Sequence, residues 1–468
     1  MAKTFRDWDV EQLMMFPPSV QDFVPRGHVA HFVRDTISEA LDLSAILKCY
    51  SEERGYPPYH PVMMTALLLY AYCQGLYSSR RIAKACQERV DFMAVTGMQT
   101  PDFRTISDFR TRHLAALVEL FVQVLRLCQE AGLVKLGHVA LDGTKLKANA
   151  SKHKAMSYGR MKKAEAELQA IVSGWLRQAQ AADLRDDQEH GAEKSGEELP
   201  DWVRDKQRRL QKIQEARARL EAEAQESAKG ADQKSGGPGR PRKNEPGTPK
   251  DSAQSNFTDP QSRIMKSHDG FIQGYNAQAA VDADSQVIVA RTLTNNASDQ
   301  QQLAPIVAQI KQNTKRQAEE LSADAGYCSE DNFKELNRHH INGYIATGRQ
   351  KHGDNAVSTQ RKADRGTRAH AMWQKLRQGG RRSRYRLRKQ TVEPVFGQIK
   401  QGRGFRQFLL RGIRKVSAEW SLICTAHNLL KLAAAWNLAF GTHFTVQPRG
   451  ESAICDLDIQ LHSSHSRC

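Results

Sequence analysis

The segment Leu136-Gly-His-Val-Ala-Leu-Asp-Gly-Thr-Lys145 decides the architecture that the rest of the sequence predicts. His138-Val-Ala-Leu141 is a short apolar run that stops at Asp142-Gly143, and such a run bounded by glycine is typical of a buried β-strand. Asp142 is then expected at the carboxyl end of a central strand, where open α/β sheets place their ligand sites. The alternative, which this segment alone favours, is that Asp142-Gly143 is an ordinary turn.

The composition of the chain favours a polyanionic partner. The 468 residues carry 69 Lys and Arg against 52 Asp and Glu, a formal net charge of +17, and nucleic acid is the commonest partner of so basic a protein. No apolar segment is long enough to span a bilayer, the first residues form no signal-peptide core, and the eight cysteines have no zinc-type spacing. We therefore expect a cytoplasmic, nucleoid-associated protein with reduced thiols and no membrane association.

Residues 1–130 are predicted to form a mostly helical domain. Val29–Leu47 has helical periodicity, and Pro61 stands at the favoured first position of an apolar helix. Two short helices at 80–90 and 105–113, separated by a turn, resemble a helix-turn-helix. An ordinary helical bundle with solvated charges explains the same pattern equally well. We expect DNA contact because basic residues also cluster elsewhere in the chain.

Residues 156–256 are predicted to be an insertion after the first strand. Apolar residues recur at helical spacing in two stretches, 161–175 and 210–220, which predicts a helical hairpin. A flexible basic linker follows, and its Gly239-Arg-Pro-Arg-Lys243 is similar to an AT-hook, so Arg240 and Arg242 are candidates for minor-groove contacts. The alternative is a basic linker without a dedicated function, which is the commoner meaning of this composition.

Regular structure is predicted again after residue 256. Strands and helices alternate there, and the first two strands are close enough in sequence to form a β-hairpin. This order predicts an α/β fold with a mixed sheet and flanking helices, followed by a polar C-terminal tail at 441–468. The predicted elements are strands at 274–282 and 285–293, a helix at 301–312, strands beginning at 320 and 342, and a long basic helical region.

Three carboxylates are candidates for metal ligands. Asp142 is the only acidic residue between Glu130 and Glu165, and Asp324 repeats its pattern of a short strand, a carboxylate and a glycine. Glu393 is the sole acidic residue in a long basic region, where a salt bridge is its simplest alternative role. Hard divalent ions such as Mg²⁺ take carboxylate ligands, and such a cluster can hold two ions for phosphodiester chemistry.

These motifs together resemble the DDE transposases of bacterial insertion sequences. The matching segments are ALDGTKLKANAS (140–151), SADAGYCS (322–329) and VEPVFGQIKQGRGFRQFLLRG (392–412). Within the insertion sequence four/five superfamily, the insertion sequence 1182 group is the most similar. The resemblance implies an RNase H-like catalytic core, at 131–155 and 257–440, with Asp142, Asp324 and Glu393 as the catalytic, metal-binding triad.

The resemblance also implies the activity and the partners. The expected enzyme cuts double-stranded DNA at the terminal inverted repeats of its element and joins the 3′ ends to target DNA. It would use Mg²⁺, or Mn²⁺ in its place, and would act as a homodimer on DNA. A metal-dependent nuclease of the same fold and a non-catalytic DNA-binding regulator are the alternatives.

The family signature Tyr-x2-Arg-x3-Glu-x6-Lys is matched only in part. Tyr385 and Arg388 have the expected spacing, as do Glu393 and Lys400, but Arg388 lies one residue too far from Glu393. Lys389 occupies the expected offset instead, so either basic residue could contact the phosphate. The full set of candidate DNA-binding residues is Tyr385, Arg388, Lys389, Lys400, Arg403, Arg406, Arg411, Arg240 and Arg242.

Overall fold

The computed structural model describes residues 19–50, 57–190, 201–231, 247–267, 270–348 and 366–440. The candidates Arg240 and Arg242 and the predicted tail at 441–468 lie outside these described residues. In the described part of the chain, none of the helices combines the length and apolar character that crossing a bilayer requires. The six cysteines within the described ranges are free thiols.

The N-terminal part of the described chain is helical, as predicted. Pro61 begins the apolar helix, and its ring occupies a position where a backbone N–H would have no helical partner. The predicted helix at 80–90 is interrupted because Arg89 adopts an extended conformation (φ −118°, ψ 122°), so a further short helix lies between the two helices of the predicted helix-turn-helix. The helices are α1 Val29–Asp35, α2 Ser44–Leu47, α3 Pro61–Cys73, α4 Ser79–Glu88, α5 Val90–Thr96, α6 Phe103–Arg112 and α7 Leu114–Glu130.

The second part of the described chain is built on a mixed sheet, which confirms the predicted α/β class. The main path of the sheet is β6-β5-β1-β7-β8, and β4 pairs with the first half of β5. β1 is antiparallel to β5 and parallel to β7, and β7 is parallel to β8. The strands are β1 His138–Lys147, β2 Ala155–Ser157, β3 Gln254–Asn256, β4 Arg263–Ser267, β5 Gly270–Asp282, β6 Ile288–Thr294, β7 Glu320–Ala323 and β8 Asn342–Ile345.

Seven further helices flank or extend the sheet in the described ranges. Two long ones, α8 and α9, follow β1 and β2 in the sequence and precede the other strands. They pack on each other and share a small apolar core around Met161 and Ile213. The short strands β2 and β3 pair with each other where this hairpin begins and ends. The helices are α8 Tyr158–His190, α9 Asp201–Ala231, α10 Leu303–Thr314, α11 Glu330–Arg338, α12 Arg368–Gly379, α13 Leu387–Gly397 and α14 Ile413–Phe440.

Helix α14 joins the helical region to the sheet in one core. It packs against α3 and α7 on one side and against β6 on the other. Trp420 is fully buried, and its indole N–H donates to the carbonyl oxygen of Gln278 on β5 at 3.0 Å. A buried tryptophan contributes a large apolar area while its one polar atom is satisfied, so this contact fixes α14 on the sheet.

Glu419 anchors the segment before α14, residues 402–412, which we call the basic loop. Its carboxylate is fully buried and accepts hydrogen bonds from the backbone N–H groups of Leu409 (3.0 Å) and Leu410 (2.9 Å). Burial raises the pKa of Glu419 from 4.5 to about 7, against the opposing effect of these two hydrogen bonds.

We predict that Glu419 makes the stability of the protein fall as pH rises from 4.5 to 7. The folded state binds the Glu419 proton more tightly than the unfolded state, so its contribution is complete below pH 4.5 and is lost through pH 7. Relative to Glu419→Gln, the wild-type free energy of unfolding should decrease by up to about 3 kcal/mol across this range. Urea unfolding at several pH values measures it, with the exposed Glu88→Gln as control; a difference independent of pH would contradict the prediction.

Candidate active site

Two of the three predicted carboxylates lie on adjacent parallel strands. Leu141 on β1 pairs with Ala323 on β7, so the residues that follow them, Asp142 and Asp324, are neighbours. β7 ends at Ala323, and the Asp324 carboxylate then caps a short helical turn by accepting the Gly326 N–H at 2.9 Å. The register of two strands therefore brings together carboxylates that are 182 positions apart in the sequence.

The expected position of Asp142 needs a correction. The strand does not end at Leu141, and Asp142-Gly143 is not a turn, because β1 continues to Lys147 in antiparallel pairing with β5. Only the parallel pairing with β7 ends at Leu141. Asp142 therefore lies inside a strand, at the point where one of its two neighbouring strands stops and leaves that side of the strand open.

Glu393 reaches the same place from helix α13, which packs across β1, β5 and β7. The link is Arg388, whose guanidinium donates to the Asp142 carboxylate at 2.7 Å and to the Glu393 carboxylate at 3.2 Å. The Arg388 and Asp142 side chains are only 11% and 16% exposed, whereas Glu393 is 49% exposed. One cation thus lies between the first and the third of the predicted carboxylates.

The electrostatics of the site are those of crowded, partly buried carboxylates. Burial, against the opposing charge of Arg388 and with the charges of Asp324 and Asp299, raises the pKa of Asp142 to about 7. Burial also raises the pKa of Asp324, with the same opposition from Arg388. Strongly perturbed carboxyl groups that face one another are typical of functional sites, where a cation relieves their repulsion.

The donor set fits a hard divalent ion. Asp142, Asp324 and Glu393 offer carboxylate oxygens, which are the preferred ligands of Mg²⁺ and Mn²⁺. Among the described residues, no three His, Cys, Asp or Glu side chains are already gathered as a metal-ligand cluster. The positive charge between Asp142 and Glu393 is instead that of Arg388.

Comparison with known families identifies the chain. The Transposase domain (DUF772) family matches residues 18–112, and the Transposase DDE domain family matches residues 244–429. The chain belongs to the DDE transposases of insertion sequences. No curated protein and no solved structure shows significant similarity to it. Asp324 and Glu393 lie within the matched DDE domain, whereas Asp142 lies between the two matched segments, so its place beside Asp324 is known only from the strand register.

Three of the transposase's candidate DNA-binding residues are exposed, one on α13 and two on the basic loop. Lys389 is exposed on α13, and Arg406 and Arg411 are exposed on the basic loop. This loop extends the sheet, because the N–H of Phe408 donates to the carbonyl oxygen of Lys147 at the end of β1 at 2.8 Å. The exposed guanidinium of Arg411 donates to the carbonyl oxygen of Asn149 at 3.0 Å, and that of Arg406 donates to the side chain of Gln401, so both are held in place on the surface beside the end of β1.

The other described candidates are placed differently. Tyr385 is 7% exposed and packs in a small apolar cluster, and Arg388 is engaged with the carboxylates. Arg403 points inward to the imidazole of His427 at 3.2 Å, and burial lowers the pKa of Arg403. Lys400 is half-buried and donates to the hydroxyl of Thr144 at 3.1 Å. Tyr385 is thus buried in packing, and Arg403 is directed inward while part of its surface remains accessible.

Sequence reasoning missed Asp299, a further carboxylate at this end of the sheet. It follows β6, and β6 runs parallel to β1 because both strands are antiparallel to β5. A recognisable signal existed: three parallel strands, β1, β6 and β7, each have an aspartate at or beyond the same edge. Asp299 is hard to predict because it lies in the loop after β6 and not at the end of the strand itself.

We predict that Arg388→Gln destabilises the metal-free transposase by about 3 kcal/mol at pH 8, because it leaves the buried Asp142 carboxylate without its cation. The loss should be smaller at pH 6, where Asp142, with its pKa of about 7, binds a proton instead. Urea unfolding in EDTA measures both values. The control is Arg384→Gln, whose 55% exposed side chain pairs with Glu320 and whose loss should cost less than about 1 kcal/mol; equal costs for the two variants would refute the prediction.

Proposed function

We propose that this transposase binds the terminal inverted repeats of its insertion sequence, cleaves the DNA by metal-dependent hydrolysis and joins the 3′ ends to target DNA. The observation that carries the proposal is that strand pairing makes Asp142 and Asp324 neighbours and that Arg388 links Asp142 to Glu393, in a chain with a transposase DDE domain. In the first reaction water attacks a phosphodiester at the element's end and releases a 3′-hydroxyl. In the second that hydroxyl attacks a phosphodiester of the target DNA, and the target's own 3′-oxygen leaves.

Asp142, Asp324 and Glu393 are the residues that would hold the divalent ions. DDE transposases generally use such ions, and we propose Mg²⁺, with Mn²⁺ as a substitute. Bound there, they supply Lewis-acid stabilisation of the charge that develops on the phosphate oxygens. Arg388 would then have to give up at least one of its two carboxylate partners and would become available to a DNA phosphate. Lys389 is the exposed basic neighbour that offers a second phosphate contact.

We further infer that the catalytic core is RNase H-like and that the chain belongs to the insertion sequence 1182 group. The path β6-β5-β1-β7-β8 supports the fold, because β5 is the antiparallel member among four mutually parallel strands along it. The carboxylates lie at the edge where the parallel strands end, as ligands do in sheets of this kind.

DNA binding by the transposase is proposed to involve the exposed arginines of the basic loop and the helical N-terminal domain. Transposases bind DNA, and the net charge of +17 is consistent with many phosphate contacts. Cutting at both ends of an element requires two active sites, so we propose a homodimer on DNA. A cytoplasmic location with access to the nucleoid follows from this function.

We predict metal-dependent nicking at the ends of the element, followed by joining. A duplex carrying the terminal repeats and their flanks should be cut by the wild type with Mg²⁺ and left intact with EDTA. Glu393→Gln should lower the rate of cutting at least 100-fold, because it removes one of the three carboxylates. Asp331→Asn, 84% exposed on α11, should cut like the wild type.

The outcomes of this assay separate the alternatives. Transfer of labelled 3′ ends to a target plasmid is expected. Cutting without transfer would make the protein a nuclease of the same fold. Specific binding with no cutting, unchanged in Glu393→Gln, would make it a non-catalytic regulator and would refute the proposed activity.

The salt dependence of DNA binding is predicted to locate the phosphate contacts. Each phosphate contact adds about one to the slope of log affinity against log salt concentration. Arg406→Gln and Arg411→Gln should each reduce the slope by about one, whereas Arg338→Gln, 77% exposed on α11, should leave it unchanged. Filter binding or fluorescence anisotropy at several salt concentrations measures this, and equal slopes in all four proteins would count against a role of the basic loop.

A further inference from the structure

Asp299 occupies the centre of the carboxylate edge, although neither sequence motif nor family signature pointed to it. Its side chain is 18% exposed and is held by three donors: Lys145 Nζ at 3.0 Å, Asn276 Nδ2 at 2.6 Å and Gln278 Nε2 at 2.7 Å. A surface carboxylate rarely recruits three side-chain donors. This one therefore has a defined position and orientation.

The three donors are provided by the strands that carry the predicted active site. Lys145 lies on β1, three residues after Asp142, and Asn276 is its partner in the pairing of β1 with β5. Gln278 pairs with Gly143, the residue directly after Asp142. The Asp299 carboxylate thus holds the loop after β6 against the part of β1 that presents Asp142.

A second set of contacts connects Asp299 with the segment after Asp324. The side chain of Gln278 donates to Asp299 and accepts a hydrogen bond from the hydroxyl of Tyr327, which is fully buried in the turn that Asp324 caps. The backbone carbonyl of the same Gln278 accepts from Trp420, so this residue cannot shift independently of the core. Asp299, Gln278 and Tyr327 form one buried connection between the β6 loop and the Asp324 turn.

Two glycines leave the space that Asp299 fills. A Cβ at Gly143 would lie 2.9 Å from Asp299 Oδ1, and a Cβ at Gly326 would lie 3.2 Å from Asp299 Oδ2 and 3.0 Å from Asp324 Oδ1. Neither glycine has a positive φ, so backbone conformation does not require them. At Gly143 the Gln278 amide, only 2.3 Å from such a Cβ, contributes with Asp299, and at Gly326 Asp324 contributes with Asp299, so the Asp299 carboxylate and its neighbours together leave no room for a side chain at either position.

We propose that Asp299 is a positioning residue for the metal-dependent reaction: it fixes the Asp324 turn against β1 so that Asp142 and Asp324 present their oxygens to the same divalent ion. The inference rests on the proposed function, because it assigns a role toward the ion that the predicted triad would hold. The charge of Asp299 also acts on the pair directly, since it raises the pKa of both Asp142 and Asp324. Residues that orient metal ligands typically affect metal affinity 10- to 100-fold when they are replaced.

The test is metal binding by the full-length protein on a duplex with the terminal repeats. Free Mn²⁺ is followed by electron paramagnetic resonance during a titration, and nicking is followed against Mg²⁺ concentration in parallel. Asp299→Asn keeps the size of the side chain but places an amide NH₂ against its former donors. It should raise the half-saturating concentration of both metals about tenfold, with part of the nicking rate restored at high metal concentration.

Asp282→Asn is the matched control. Asp282 is a fully buried carboxylate at the opposite end of β1 and β5, where it accepts the Leu136 N–H at 2.7 Å. The Asp282→Asn variant should have a lower melting temperature, but its half-saturating concentrations of Mn²⁺ and Mg²⁺ (the metal midpoints) should equal those of the wild type. A purely structural Asp299 would behave in the same way, so unchanged midpoints in Asp299→Asn would overturn the inference.

A second variant keeps the test valid if Asp299→Asn does not fold. Gly326→Ala retains every charged group but pushes on the carboxylates of Asp299 and Asp324, and it should also raise the metal midpoints. If Asp299→Asn and Gly326→Ala both match the wild type while Glu393→Gln abolishes nicking, the positioning role fails and the proposed function stands. If the wild type neither binds Mn²⁺ nor nicks the duplex, the proposed function fails and the inference fails with it.

Discussion

The double pairing of β1 is the constraint on which the rest of this structure depends. One side of the strand is bound along its whole length to β5, and the other is bound to β7 only as far as Leu141. A strand that is hydrogen-bonded to neighbours on both sides is buried and rigid. Where the pairing on one side ends, the residues that follow are exposed on that side while the other pairing keeps their geometry fixed. Asp142 lies at that transition, so the most stable part of the sheet continues directly into the candidate active site.

Charge balance in this site is achieved with few groups. Arg388 donates a hydrogen bond to the Asp142 carboxylate, and Lys145 donates one to the Asp299 carboxylate. Burying an unpaired carboxylate costs several kcal/mol, so the two cations are necessary for a stable metal-free fold. Because a divalent ion prefers the same oxygens, the arginine that stabilises the free protein would compete with the metal.

The basic loop connects the site to the helical region. It pairs with the end of β1, it is anchored by the buried Glu419, and it leads into α14, which packs on α3 and α7. The carbonyl oxygen of Arg403 would lie only 2.6 Å from a Cβ at Gly75, which follows α3, so these two segments are in close contact. A change in the N-terminal helices would thus be transmitted to the loop that carries Arg406 and Arg411.

Much of the fold was determined by local sequence. The periodicity of the helices, the proline that begins α3 and the short apolar strands depend on neighbouring residues only, and most of them predicted their elements to within a few positions, although β1 continues past Leu141 to Lys147. The isolation of Asp142 and Glu393 among basic residues likewise predicted them as candidate metal ligands, because a lone acid in such surroundings is unusual in any fold. The same strand, carboxylate and glycine pattern selected Asp324, and the family motifs added the transposase assignment.

Other features were decided only by tertiary structure, because they depend on pairs of residues far apart in the chain. Strand register placed Asp142 inside β1, and a hairpin that runs back parallel to β1 brought Asp299 to the same edge. Packing against α14 turned Arg403 inward, although its sequence context is as basic as that of Arg406. Sequence thus determined which groups carry charge, and the three-dimensional packing determined which of those charges meet the carboxylates and which face solvent.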